Sequence, residues 1–252
     1  MKDKYCSSMR ATLPALFVTA ALVLLNTTAI AQAPPGSLWY NGDWNEVNAL
    51  ANERDDGLGF GQYAHVYDDF NVTAPLGWNV TAVFSDNLIT MYTVITGADW
   101  EIRTGISEGN GGTLIASGTT NSPLVTPTGR GLELTEYMVE VPGLNVFLPM
   151  LPSGQHYWLN VTPVGNGFGR FFNSDTSGTH CVGTPCGNNG NAFFDSNFFG
   201  ANYQSTAEQG QPGDFSMGVI GTVVPEPPPW AMMALGAVVL LGVQQLRRRK
   251  KA

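Results

Sequence analysis

Two apolar runs bracket this chain and confine any independently folding domain to the stretch between them. At the back, Val224-Pro225-Glu226-Pro227-Pro228-Pro229 leads into an apolar run from Trp230 to Leu246. That run stops at Arg247, Arg248, Arg249, Lys250 and Lys251. Proline fixes φ and removes a backbone donor, so the motif reads as an extended spacer that cannot join the helix after it. The 17 residues from Trp230 to Leu246 would span about 25 Å as a helix. A bilayer core is ~30 Å thick, and snorkelling basic ends make up the difference. Trp230 takes the place of an interfacial aromatic, and the cationic cluster is a membrane stop signal on the cytoplasmic side.

At the front, Lys2, Lys4 and Arg10 precede an apolar stretch from Leu13 to Leu25. Ala29-Ile30-Ala31 and Ala31-Gln32-Ala33 follow as overlapping small-x-small cleavage sites. Residues 1–33 therefore read as a secretory signal helix. An uncleaved anchor is the alternative, and Met9 would serve as a start as well as Met1, since Arg10 alone keeps the leading segment charged.

The tail, residues 223–252, closely resembles the PEP-CTERM sorting signal of Gram-negative bacteria. The resemblance is carried by Val224, Pro225, Glu226 and Pro227, by Trp230-Ala231-Met232-Met233-Ala234-Leu235-Gly236, and by the terminal basic cluster. It departs from the pattern at Pro228, where a small or hydroxylated residue is usual. The resemblance implies recognition by an exosortase-type membrane protease, with Glu226 as a recognition residue of the substrate. It implies a chain held in the inner membrane by a transmembrane helix in transit, then released to the cell surface or beyond. It also implies an association with exopolysaccharide and biofilm matrix. The alternative is a permanent anchor on a proline-rich stalk.

Between the two runs lies a region long enough for one domain, residues 34–222, with a sizeable core. From Pro34 to Glu226 there are four arginines, no lysine and 19 carboxylates, a net charge of −15. Such a surface repels nucleic acid and anionic lipid, so no nucleic-acid partner is expected. Cys6 falls in the signal, which leaves Cys181 and Cys186. Four intervening residues with Gly183 and Pro185 allow a small disulfide loop in an oxidising compartment. Two free thiols are the competing reading. A metal site would need more ligands than the adjacent His180.

Helical periodicity is scarce in this region. Short alternating runs appear instead: Phe70–Thr73, Trp78–Phe84, Met91–Ile95, Trp100–Ile106, Leu114–Ala116, Tyr137–Val141, Tyr157–Thr162 and Phe215–Ile220. Turn clusters such as Glu108-Gly109-Asn110-Gly111-Gly112 separate them. Many short strands with such punctuation predict an all-β fold, a single antiparallel β-sandwich. Val80, Ala82 and Phe84 are expected on one face, against Asn79, Thr81 and Ser85. Asn45 to Asn52 reads weakly as one or two helical turns. Tyr67-Asp68-Asp69-Phe70, the Trp78 strand, the Ile102–Gly118 turn region and Gly154-Gln155-His156-Tyr157-Trp158-Leu159 resemble jelly-roll-like modules often found ahead of this tail. That resemblance implies a fold and a cell-surface setting, with no activity attached.

Chemistry is sparse. Asp68 and Asp69 are the obvious carboxylate pair, but neighbours on a strand point to opposite faces and cannot work as one acid–base couple. Capping or accepting backbone hydrogen bonds is the expected role, with structural Ca²⁺ a weaker one. No other metal or cofactor is expected. His65, His156 and His180 lack the spacing of a zinc site, and no nucleophile elbow or phosphate loop occurs. The Asn-x-Thr matches at Asn71, Asn79 and Asn160 are read as chance. Aromatics among Asn and Gly (Trp39, Tyr40, Trp44, Phe171, Phe172, Phe193, Phe194, Phe198, Phe199 and Tyr203) suit sugar faces or a core. Three functions follow: a non-catalytic surface or matrix protein, a carbohydrate-binding module, and a glycoside hydrolase or lyase.

Overall fold

The computed structural model describes residues 33–90, 94–131, 134–207 and 213–226, with Pro228 and Met233. The signal segment up to Gln32 and most of the expected transmembrane helix lie outside these residues. Among the described residues, no helix is long and apolar enough to cross a membrane. The described part is all-β, with strands in two layers.

The first sheet holds β1 (Ser37–Tyr40), β2 (Trp44–Ala51), β5 (Trp78–Ile89), β8 (Leu124–Pro127), β9 (Thr135–Leu148), β11 (Phe171–Thr176) and β14 (Met217–Val223). The second holds β3 (Glu53–Arg54), β4 (Tyr63–Phe70), β6 (Gly97–Thr104), β7 (Thr113–Thr120), β10 (Tyr157–Val164), β12 (Phe193–Ser196) and β13 (Ala201–Ser205). In the first sheet β9 lines one edge of β5 from Trp78↔Leu148 to Ile89↔Thr135. The other edge is shared end to end: β14 takes Trp78 to Ser85, and β11 takes Asn87 to Ile89. β1 continues the sheet beyond β14, β2 beyond β11, and β8 beyond β9.

In the second sheet the order is β13-β12-β4-β10-β6-β7, and β4 pairs with β10 only from Phe70↔Tyr157 to Asp68↔Leu159. Beyond that point the two strands part, and β3 lies between them, antiparallel to β4 and parallel to β10. The expected purely antiparallel pairing is corrected by this one parallel contact.

The two sheets enclose a common core. Trp39, Trp78, Val83, Val139, Phe215 and Val219 from the first layer meet Val66, Phe70, Ile102, Leu159, Val161 and Phe194 from the second. Trp39, Trp78 and Tyr157 each stack on Phe70, with centroids 5.3 to 6.1 Å from its ring. Fully burying side chains of this size contributes about 1.5–3 kcal/mol each. Gly118 on β7 is required by this packing, because a Cβ there would run into the Trp100 indole.

Three expectations are corrected. Asn45–Ala51 is strand, within β2, and Asn52 follows its end. Its helix-like look comes from the Asn45 side chain, which accepts the backbone N–H of Val47 and Asn48 at 2.9 Å each, and from Glu46 at φ 61°. The run Phe70–Thr73 is strand only at Phe70; β4 lies upstream. The Trp78–Phe84 alternation breaks at a bulge near Thr81, where both neighbouring ladders shift register. Val80 and Val83 therefore enter the core, while Phe84 faces the opposite side of the sheet and packs on Tyr40. A bulge adds one residue and inverts every side chain after it. This inversion aims Asp86 outward and Ser85 and Asn87 inward.

Candidate functional site

On the outer face of the first sheet, beneath the 128–131 loop, one guanidinium gathers three carboxylates. Arg130 pairs through Nη1 with Asp43 at 2.7 Å, through Nη2 with Asp86 at 2.8 Å, and through Nε with Glu136. All four side chains are buried. The Tyr40 hydroxyl sits 2.9 Å from Asp43 Oδ1 and 3.1 Å from Asp86 Oδ2. Ser216 donates to Asp86, and Ser174 and Thr128 donate to the two oxygens of Glu136. His180, at φ 57°, brings Nδ1 to 2.7 Å from the remaining Asp43 oxygen. Burial, then the Glu136 charge, pushes Asp86 up to about 7 against the pull of Arg130. Burial alone would lower Arg130, but Asp86, Tyr40 and Glu136 outweigh it and hold its pKa raised. A cleft of about 390 Å³ opens beside this hub, lined by Asp43, Trp44, Glu46, Arg130, Thr179 and His180. Each converging carboxylate is already occupied, so the hub is a structural knot with an exposed rim.

Asp68 and Asp69 stand on opposite faces of β4. Asp68 points inward and accepts Asn41 Nδ2 at 2.8 Å and the backbone N–H of Phe215 at 2.6 Å. Burial, with Asp214 and Asp69 close by, raises it well above the ordinary range. Asp69 points outward to Asn189 Nδ2 at 2.9 Å and His156 Nδ1 at 2.8 Å. Asp214 collects backbone N–H groups of Asn189, Gly190 and Asn191. Burial lifts it to about 6, and burial with the Asp214 charge lifts Asp175 to about 7. Among the described residues, no three His, Cys, Asp or Glu side chains are arranged to hold a metal ion.

The outer face of the second sheet carries aromatics. Tyr67, Ile106, Trp158 and Phe193 form a second apolar cluster, with Tyr203 packed on it. The Arg103 guanidinium lies 6.0 Å from the Tyr67 ring and 5.5 Å from the Tyr203 ring, and it pairs with Glu101. His65 packs on Tyr63 at 4.5 Å, and burial lowers its pKa to about 4. Of the consecutive pair, Phe194 enters the core and Phe193 the outer cluster. Phe198 and Phe199 are exposed on the turn after β12, and Trp39, Tyr40, Trp44 and Phe171 are buried. All five described tryptophans are buried, so no tryptophan face is open for stacking. A cleft of about 540 Å³ beside this cluster is lined by Thr104, Asn110, Thr113, Gln155, His156 and Trp158.

Cys181 and Cys186 are bonded, with Cα atoms 5.5 Å apart. Their loop is tied to the core, because Trp39 Nε1 donates to the Pro185 carbonyl and Asn71 N to that of Thr184. Of the sorting-motif residues, Val224 donates its N–H to the Gly77 carbonyl at 3.0 Å, and Pro225 and Glu226 are exposed. Pro227 and the basic cluster Arg247–Lys251 lie outside the described residues. All four arginines of the domain are paired: Arg54 with Asp55 and Asp99, Arg103 with Glu101, Arg130 as above, and Arg170 with Glu53. The hub is built from five separated segments, and sequence reasoning missed it. Its available signal was a lysine-free domain that retains arginine, the cation suited to several fixed partners at once. No family model, curated protein or solved structure matches this chain.

Proposed function

We propose that the chain is a non-catalytic, exported surface or matrix protein, presented on a jelly-roll-like β-sandwich and sorted through its Pro-Glu-Pro tail by an exosortase-type membrane protease. One observation supports the non-catalytic part most. Three carboxylates converge on Arg130, where each is closed off by partners from this chain. In the second group, Asp68, Asp69 and Asp214 accept from Asn41, Phe215 N, Asn189 and the 189–191 amides. A hydrolase would need a separated pair, one protonated and one free, facing a substrate. Intact mass of the mature exported protein tests the sorting part. The expected product ends near Glu226; a product still carrying Trp230 to Ala252 removes processing and leaves an anchored protein.

A second reading, carbohydrate binding, draws on the cleft beside Trp158. Neutral hydrogen-bonding side chains (Thr104, Asn110, Thr113 and Gln155) surround an indole edge there, the mixture that suits a sugar's hydroxyls and apolar face. Pull-down on the producing cell's own polysaccharide should retain the wild type and lose the Asn110→Ala/Gln155→Ala double variant. Equal retention of both proteins rules out this cleft.

A further inference from the structure

The two ends of the layered domain differ in charge. One end is made by residues 71–77, the 142–155 stretch that closes β9, residues 218–225, where the chain leaves β14, and the 105–112 hairpin between β6 and β7. The first three segments contain no ionisable side chain and the hairpin carries one, Glu108, in a domain with 18 carboxylates between residues 34 and 222. The same end exposes large apolar groups: Leu76 at 40%, Phe147 at 55%, Met150 at 50% and Val223 at 50%. They belong to one rim. Val223, Trp78 and Leu148 share a ladder row, as do Thr222, Asn79 and Phe147. The Phe147 ring borders Gly77, whose carbonyl holds the Val224 N–H. The opposite end carries Arg54, Asp55, Asp56, Asp99 and Arg170.

The chain leaves the domain at this end, beside the apolar rim. Six residues, Val224–Pro229, separate the last strand from the apolar run that starts at Trp230. An extended proline-rich segment of that length spans about 19 Å at ~3.1 Å per residue. We infer that, while the tail is in place, this end rests on the bilayer, with Leu76, Phe147, Met150 and Val223 in the interfacial layer. The inference rests on reading Trp230–Leu246 as a membrane span. An acidic domain is repelled by anionic headgroups; the rim formed by Leu76, Phe147, Met150 and Val223 brings no carboxylate of its own, while Glu108 and Glu226 belong to the hairpin and the spacer at the same end. Apolar side chains at the headgroup boundary gain by leaving water.

The full chain is reconstituted into phosphatidylcholine vesicles that carry a diazirine-labelled acyl chain, then photolysed and mapped by peptide mass. Adducts are expected in residues 72–77 and 147–151 and within the tail run. They are not expected at Phe60 and Phe168, the exposed aromatics of the opposite end. A Leu76→Ser/Phe147→Ser/Met150→Ser variant should lose domain adducts at least fivefold and keep the tail adducts. A Phe60→Ser/Phe168→Ser variant should change nothing. Tail adducts without domain adducts overturn this inference and leave the membrane span intact. Absence of tail adducts overturns the span itself. Protection of the 147–151 region that appears only when the membrane protease is added assigns the rim to a protein partner and overturns the lipid reading.

Discussion

The Arg130 hub and the knot around Asn52 answer the same problem in opposite ways. Both bury polar side chains beside β5, and the bulge near Thr81 sends Asp86 to one and Asn87 to the other. The hub is ionic and lies on the outer face of the first sheet, under a loop and next to a cleft. The knot is neutral and lies between the layers, in the gap where β4 and β10 part. Asn52 Oδ1 accepts from Thr162 Oγ1 at 2.8 Å and from Asn160 Nδ2 and Val66 N at 3.4 Å. Asn52 Nδ2 donates to Val161 O at 2.8 Å and Asn87 Oδ1 at 3.1 Å. Ser85 adds a bond to the same Val161 carbonyl. Moving charge out of water costs several kcal/mol per ion, whereas a matched neutral network costs far less. The ionic cluster sits where solvent is one loop away, and the neutral one where Asn52, Asn87, Asn160 and Thr162 are fully buried.

Four measurements sharpen or break this contrast. Arg130→Met leaves Asp43, Asp86 and Glu136 buried without a counter-charge. It should cost about 3–5 kcal/mol of unfolding free energy in denaturant titration. Arg130→Lys should recover little, because an ammonium cannot reach three carboxylates in one plane. A loss below ~1 kcal/mol would mean that the hub is effectively solvated. Asn52→Ala takes the side-chain acceptor from the Val66 N–H and removes the bonds to Thr162, Asn160, Val161 and Asn87, and it should cost about 2 kcal/mol with no dependence on pH between 5 and 8.

The third measurement is the pH profile itself. In the folded chain Asp86 and Asp175 are raised to about 7 and Asp214 to about 6. A raised carboxyl binds its proton more tightly folded than unfolded. Its stabilising contribution is therefore full below the ordinary aspartate range and is lost as pH rises through 6 to 7. Melting should occur roughly 5 °C higher at pH 5 than at pH 8, and Asp86→Asn should flatten part of that slope. His65, lowered to about 4, pulls the opposite way below its ordinary range, so a net rise toward pH 8 would contradict the dominance of the three aspartates. The smallest effect is expected from Thr162→Val, about 1 kcal/mol, since Asn52 Oδ1 keeps its other donors.

Much of the layer architecture was legible, for a physical reason. β5, β6, β7, β9, β10 and β14 each carry a run whose alternation or β-branched content needs no partner to be seen. β11 and β12 were not legible, because Phe171-Phe172-Asn173-Ser174-Asp175-Thr176 is mostly buried on both faces, so polarity stops reporting exposure. The inversion of Phe84 was hidden because a bulge is set by two neighbouring ladders and leaves no local mark. The opposed directions of Asp68 and Asp69 could be read from strand geometry alone. The hub could not, since Tyr40, Asp43, Asp86, Arg130 and Glu136 come together only after β1, β5 and β9 are aligned.

The pairing of all four arginines has a consequence for proteolysis. Trypsin-like proteases need a basic residue on a locally open chain, and between Pro34 and Glu226 these four are the only such residues. Each is held by a carboxylate of the same domain. Cleavage must therefore wait for local or global opening, so the rate of digestion reports the population of opened molecules. The domain thus carries few scissile points and keeps them shut, and the same scarcity makes limited trypsinolysis a clean clock for its unfolding.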